Sequence, residues 1–289
     1  MACSGALKQI RVVLIGKTGA GKSSLGNSLI GPKHFKVGRG LSSETTECSY
    51  NTGSRDNFEF QVVDTPGLCD THRPEEDIYR EVGKSVALAT PGPHIILMVL
   101  RCDRRFTKEE YDAYAALKKL FSDTMCRHMI VIFNGLDTFA EDDDDEPDLS
   151  ELRAALELQM MPGKASDKLR QVINESQGGY FGMNNKASKA VKDQQMKDLV
   201  DKMVTLMQQN GNACYSSDLV EEINRRIDEM VRERMRMATN KTEAQVTEEV
   251  KGDISKGKVS PGLFESLGGM VKYAAERARS AASDICAVM

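Results

Sequence analysis

The chain has 289 residues, a formal net charge of -4 and 40% hydrophobic residues, a length suited to one large domain plus an extension. The acidic balance gives no reason to look for a nucleic-acid partner. The seven cysteines and four histidines form no CxxC pair and no zinc-spaced cluster, and this usage suggests a reducing, cytosolic setting with no membrane-spanning helix.

The first predicted strand is the apolar run Ile10 to Ile15. It meets glycines at once, and a helix follows from Lys22. Between them Gly16 to Ser23 reads GKTGAGKS, the GxxxxGK[ST] phosphate loop in the strand-turn-helix context it requires. Such glycines let backbone N–H groups turn towards phosphate oxygens, and the helix N-terminus adds positive potential. The candidate nucleotide residues here are Gly16, Lys17, Thr18, Gly19, Ala20, Gly21, Lys22, Ser23 and Ser24, with Lys22 reaching the β and γ phosphates and Ser23 ligating magnesium.

A second strand, Phe58 to Val63, ends at Asp64-Thr65-Pro66-Gly67. A carboxylate at a strand end can hold magnesium through water, and the Gly67 amide can sense a γ-phosphate. A helix is predicted over Pro74 to Leu88, a buried strand over His94 to Leu100, a helix over Thr107 to Phe121 and another strand over Met129 to Phe133. Asn134-Gly135-Leu136-Asp137 follows, where a GTPase presents NKxD to the base; Gly135 stands in place of the lysine. Asp137 could accept from guanine N1–H and the exocyclic amine, a pair adenine does not offer.

The acidic block Glu141 to Asp148 reads as a solvated loop. One helix over Leu149 to Glu175, a weak fifth strand over Tyr180 to Met183 and a helix over Ala187 to Gln209 complete an α/β pattern, a doubly wound sheet with helices on both faces. After Gly211 the strands stop. A polar helical stretch runs from Asp218 to Lys258, glycines and Pro261-Gly262 break it, and a final helix starts at Leu263. The expected organisation is a G domain over 8–210, a helical extension over 211–260 and an amphipathic helix with tail over 261–289.

In the last helix Leu263, Leu267, Met270, Val271, Ala274, Ala278, Ala281 and Ile285 recur at helical spacing as one apolar stripe. Cys286-Ala287-Val288-Met289 fits the CaaX pattern and predicts farnesylation of Cys286. One lipid chain gives only marginal membrane binding, so a second contribution is needed. Either the stripe supplies it or dimerisation presents two lipids at once; the other reading of the stripe is that it folds back onto the G domain.

The phosphate loop, the VVDTPGLCDT strand end and above all LRCDRRFTKEEYDAY (Leu100 to Tyr114) resemble the GTPases of the immunity-associated protein family (GIMAP), with its avirulence-induced-gene type of G domain, over about Lys8 to Asn210. The resemblance implies a P-loop GTPase with GTP or GDP and Mg2+ as ligands. It implies that Thr45, or its neighbour Thr46, is the switch threonine on magnesium, and that Asn185 is the fifth motif behind the base. Asn185 is equally suited to cap the helix near Ala187.

Leu68 stands where many GTPases carry a water-positioning glutamine, and an apolar side chain cannot orient the water. Turnover is then expected to be slow and helped in trans. Arg105 in the family box is the candidate catalytic arginine, reaching the transferring phosphoryl group of a second copy in a face-to-face homodimer; an ordinary surface charge is the alternative. The expected protein is a cytoplasmic GTP-regulated scaffold at a membrane surface. A P-loop phosphotransferase using ATP and a GTP binder without turnover are the competing classes.

Overall fold

The computed structural model describes residues 8–31, 34–36, 47–67, 74–140, 148–238, 240–259 and 261–287, with side chains not described at 261 and beyond 277. Thr45, Thr46, Leu68 and most of the acidic block fall outside these residues, as do the side chain of Cys286 and the last two residues.

The core is a six-stranded sheet in the order β2-β3-β1-β4-β5-β6. Its strands are β1 (Lys8–Ile15), β2 (Ser49–Arg55), β3 (Phe58–Asp64), β4 (Ile95–Arg101), β5 (Met129–Asn134) and β6 (Tyr180–Met183). All neighbouring pairs run parallel except β2 with β3. The central strands are buried on both faces, which is why they read as near-continuous apolar runs. Ile10, Val12 and Leu14 of β1 face one layer while Val13 and Ile15 face the other, the two-residue alternation of a strand.

Under the first face lie α1 (Lys22–Ile30) and α6 (Lys189–Gln209), the latter burying Met196, Leu199, Val200 and Met203. The second face carries α2 (Glu75–Leu88), α3 (Lys108–Phe121), α4 (Leu149–Met160) and α5 (Asp167–Glu175). Over this face also come α7 (Asp218–Met237), α8 (Glu243–Ser255) and α9 (Pro261–Ala287), all three in contact with α2. Among the described residues no helix is long and apolar enough to cross a membrane.

The fold departs from the sequence expectations in three places. The antiparallel strand β2, SYNTGSR, has no apolar alternation because it is the partly exposed edge of the sheet. The single helix expected over Leu149 to Glu175 is two, broken at Met161 to Ala165, where Gly163 has a φ of 86° and Ser166 caps the second piece by accepting from the Leu169 N–H. The polar helix expected over Asp218 to Lys258 is also two, and Thr242 starts the second with a reciprocal cap shared with Gln245.

The apolar stripe of the last helix folds back. Leu263, Leu267 and Val271 are buried, and the backbone of α9 comes so close to α2 that a Cβ on Gly83 would lie 2.8 Å from the Leu267 carbonyl oxygen. This half of the stripe therefore cannot serve as a membrane-facing surface, because α2 offers it an apolar partner through Val82 and Val86. The side chains of Ala278, Ala281 and Ile285 are outside the described set.

Candidate functional site

The C-terminal ends of β1, β3, β4 and β5 converge on one edge, where an open parallel sheet places its ligands. From β1 the chain turns through Gly16 to Gly21 into α1. Two of these positions need glycine: Gly16, with a φ of 143°, where a Cβ would sit 2.4 Å from the Val99 carbonyl oxygen, and Gly21, with a φ of 97°, where it would sit 2.4 Å from the Asn134 amide nitrogen. Gly21, in the left-handed region, brings no side-chain hydrogen bond to the start of α1. A helix start of this kind suits an anion.

Lys22 is buried, and its ammonium donates to the carbonyls of Gly16 at 2.9 Å and Lys17 at 3.1 Å, so it lies folded beneath the loop it serves. Ser23 donates to the Asp64 carboxylate at 2.5 Å. The other Asp64 oxygen is buried without a hydrogen-bond partner. Burial pushes this carboxyl above its ordinary range, against the Ser23 hydrogen bond and the charge of Lys22. A hydroxyl beside a half-satisfied carboxylate at a phosphate loop fits a magnesium ion, whose charge would complete the coordination and hold Asp64 ionised. Next to it Thr65 donates to the Leu14 carbonyl at 2.6 Å and fixes the end of β3, while Gly67 is the last described residue of the segment.

At the end of β5, Asn134 is buried and its amide donates to the Ala20 carbonyl at 2.8 Å, which ties the phosphate loop to the base-side strand. Its own carbonyl oxygen is a second buried atom with no partner. Gly135 follows at a φ of 86°, and this left-handed turn is the physical reason the motif carries glycine where lysine is usual. The short turn Leu136–Phe139 then presents Asp137, paired with Lys186 at 2.7 Å; the carboxylate side chain is only 13% exposed and the lysine 82%. Lys186 was not singled out by sequence reasoning. Its signal was its place in the NNKA segment, immediately after the residue assigned to the fifth motif.

Asn185 is exposed on this loop, while its neighbour Asn184 is buried. Asn184 accepts from the N–H groups of Lys186 and Ala187 and is held through its backbone by the buried Gln195. The capping alternative for Asn185 is corrected: Ser188 caps α6, accepting from the Val191 N–H, and Asn184 makes the turn before it.

Arg105 is exposed and lines a cleft shared with Lys17 and Thr18. The structure thus brings the phosphate loop, Asp64, Asn134, Asp137 and the Asn185 loop to one edge. Arg105 stands beside them, on the side of β4 and α3. None of Ser23, Asp64, Asp137 or Asn185 lines that cleft.

Residues 10–235 match the model of the AIG1 family. Among curated proteins the chain is 32% identical over 241 residues to immune-associated nucleotide-binding protein 10 of Arabidopsis thaliana, covering 82% of this chain and 50% of that one. It is 31% identical over 214 residues to immune-associated nucleotide-binding protein 9 of the same organism, covering 73% and 59%. The chain thus spans about half the length of the curated relatives it matches. Among solved structures, Toc33 of Arabidopsis thaliana in complex with Mg2+ and GMPPNP superposes with a TM-score of 0.51 at 16% identity, over 70% of this chain and 86% of that one. A dimerisation-deficient mutant of Toc33 gives 0.50 at 16%, over 69% and 84%. At this identity the likeness concerns the fold.

Proposed function

Because the chain belongs to the AIG1 family, we propose that it is a guanine-nucleotide switch: it binds GTP and GDP with magnesium, hydrolyses GTP slowly and assembles through its nucleotide face. The observation that carries this reading is Asp64, a buried carboxylate beside the start of α1 with one oxygen on Ser23 and the other without a hydrogen-bond partner. An orphaned buried acceptor costs about 1 to 3 kcal/mol, a cost that a bound cation removes.

In this reading Ser23 and Asp64 hold the magnesium ion, which neutralises phosphate charge when bound, and Thr45 or Thr46 adds the switch ligand. The N–H groups from Gly16 to Ser24 and the Lys22 ammonium take the phosphates, with the Gly67 amide at the terminal one. Asp137 accepts from the guanine edge in place of Lys186, an ion pair of little cost to open because the lysine is exposed. Asn134 keeps the phosphate and base halves in register through Ala20, and Asn185 backs the base.

Leu68 gives no help to the attacking water. Charge development on the phosphoryl group is instead met by Arg105 of a second copy, and its exposure beside Lys17 and Thr18 supports that role. The chain then works in the cytoplasm at the cytosolic face of a membrane, held by a farnesyl group on Cys286, with no nucleic-acid partner.

The test is GTP turnover per molecule against protein concentration. Turnover rises with concentration in the unmodified chain, and Arg105→Ala removes the rise while leaving GDP affinity within twofold. Flat turnover in the unmodified chain removes the dimer from the proposal, and equal affinity for ATP and GTP removes the guanine switch itself. Recovery of Cys286→Ser with membranes at the level of the unmodified chain removes the anchor.

A further inference from the structure

A cavity separate from the phosphate cradle opens beside it. It is a cleft of about 700 Å³ between the β4 to α3 connection and the corner joining α4 to α5, and it only borders the phosphate loop at Lys17, Thr18 and Ala20. Its size falls within the roughly 300 to 1,000 Å³ of small-molecule sites.

Burial sorts its lining by depth. Leu100, Phe133, Leu156 and Leu169 are almost wholly buried and form an apolar floor. Phe106, Phe139 and Met160 are partly buried and form the walls, apolar surface that the fold leaves open to solvent. Around the mouth stand Arg104, Arg105 and Lys164, all exposed.

The charges of this lining do not cancel. Asp103 is taken by Arg101, whose Nε donates to it at 2.7 Å, and this pairing holds the Asp103 carboxyl below its ordinary range. Glu110 is occupied as the reciprocal cap of α3, accepting from the Thr107 N–H at 2.9 Å. Arg104 reaches Asp103 only at 4.0 Å, and among the described residues Arg105 and Lys164 have no acidic partner. The mouth therefore keeps a cationic surplus over an apolar floor.

We propose that this cleft binds an anionic amphiphile, a single hydrocarbon chain ending in a carboxylate or phosphate. The chain would cover Phe106, Phe139 and Met160 and remove their apolar surface from water. The head would take charge-assisted hydrogen bonds from Arg104, Arg105 and Lys164. A neutral chain would leave the cations unused, and a bare anion would leave the floor wet; only a ligand with both parts uses the whole lining.

The sequence contains no tryptophan, so Met160→Trp places one reporter in the wall. The full-length chain, with excess GDP and magnesium present, is titrated with decanoate, decyl phosphate and decanol below their aggregation limits. The expected result is a saturable fluorescence change with at least one of the two anions and binding at least about tenfold weaker for decanol. The tighter of the two anions identifies the head group. Arg104→Glu combined with Lys164→Glu weakens the anion by about tenfold or more.

Calorimetric titration of the unmodified chain with the same anions repeats the measurement without the tryptophan. Absence of saturable anion binding there overturns the proposal, as does decanol binding as tightly as the anions. So does one-for-one displacement of the anion by GDP added to the nucleotide-free chain, which would put the ligand in the phosphate cradle instead.

Discussion

The backbone N–H of Cys48 donates to the carboxylate of Glu81 across 2.6 Å, with both residues buried. The Cys48 thiol also donates to the Glu81 carbonyl at 3.2 Å, and one turn along α2 the Lys84 ammonium pairs with Glu47 at 3.1 Å. The entry to β2 is thus clipped to the same helix that receives α9. Glu81→Ala strands a buried N–H, so urea unfolding should show a loss of about 1 to 3 kcal/mol; Glu81→Gln, which keeps an acceptor, should lose less. Burial, with the nearby Glu81 charge, pushes the Cys48 thiol well up, so alkylation in the folded protein should be far slower than in urea.

Stability should fall in mild acid through His94. Its Nδ1 accepts from the Arg11 N–H at 3.0 Å, and its ring also meets the Arg11 guanidinium and lies near His128. Burial first, then the charge of Arg11, lowers its pKa from 6.5 to about 4. Folding favours the neutral ring, so this contribution is full above pH 6.5 and is lost as the pH drops towards 4. His94→Asn, which retains an acceptor and cannot be protonated, should flatten the stability profile across that window.

Base selection should reside in Asp137. Asp137→Ala should weaken GDP by about 2 to 4 kcal/mol through lost charged hydrogen bonds, with little change for ATP. Lys186→Ala removes only the exposed partner of the carboxylate and should change GDP affinity by less than about 1 kcal/mol. Competition titrations with the two nucleotides check both.

Phosphate binding should depend on Lys22 without the fold depending on it. Its ammonium donates to the Gly16 and Lys17 carbonyls of the phosphate loop, so Lys22→Ala should abolish tight nucleotide binding and leave the circular dichroism spectrum unchanged. Magnesium should raise the melting temperature of the GDP-loaded chain more at pH 7 than at pH 5. Burial raises the Asp64 carboxyl, and protons compete with the metal for it at the lower pH. Asp64→Asn should remove the difference.

The parts of this architecture that the sequence announced are those whose geometry is enforced locally. The phosphate loop needs its glycines, and the central strands are apolar because helices cover both faces. What escaped was fixed by partners distant in the chain. Asn134 suggested a base contact, yet its amide is spent on the Ala20 carbonyl; Gln195 holds Asn184 from the far side of a turn. The fold-back of α9 was one of two readings of the stripe, because periodicity shows an apolar face without showing what covers it. Gly83 decides the matter here, by admitting the Leu267 backbone.

The polarity that hid β2 also has a use. An exposed sheet edge is a template for pairing with another chain, and proteins guard against it with short, polar or covered edge strands. At one edge of this sheet stands SYNTGSR, and α8 lies beside it, with the Ser255 hydroxyl accepting from the Tyr50 N–H at 3.2 Å and Glu248 accepting from the Tyr50 hydroxyl. At the other, β6 runs only from Tyr180 to Met183. Fibril-like stacking through the sheet is thereby blunted on both sides, and α8 acts as a guard against self-templating as well as a packing element. Removing it should turn a guarded edge into an adhesive one.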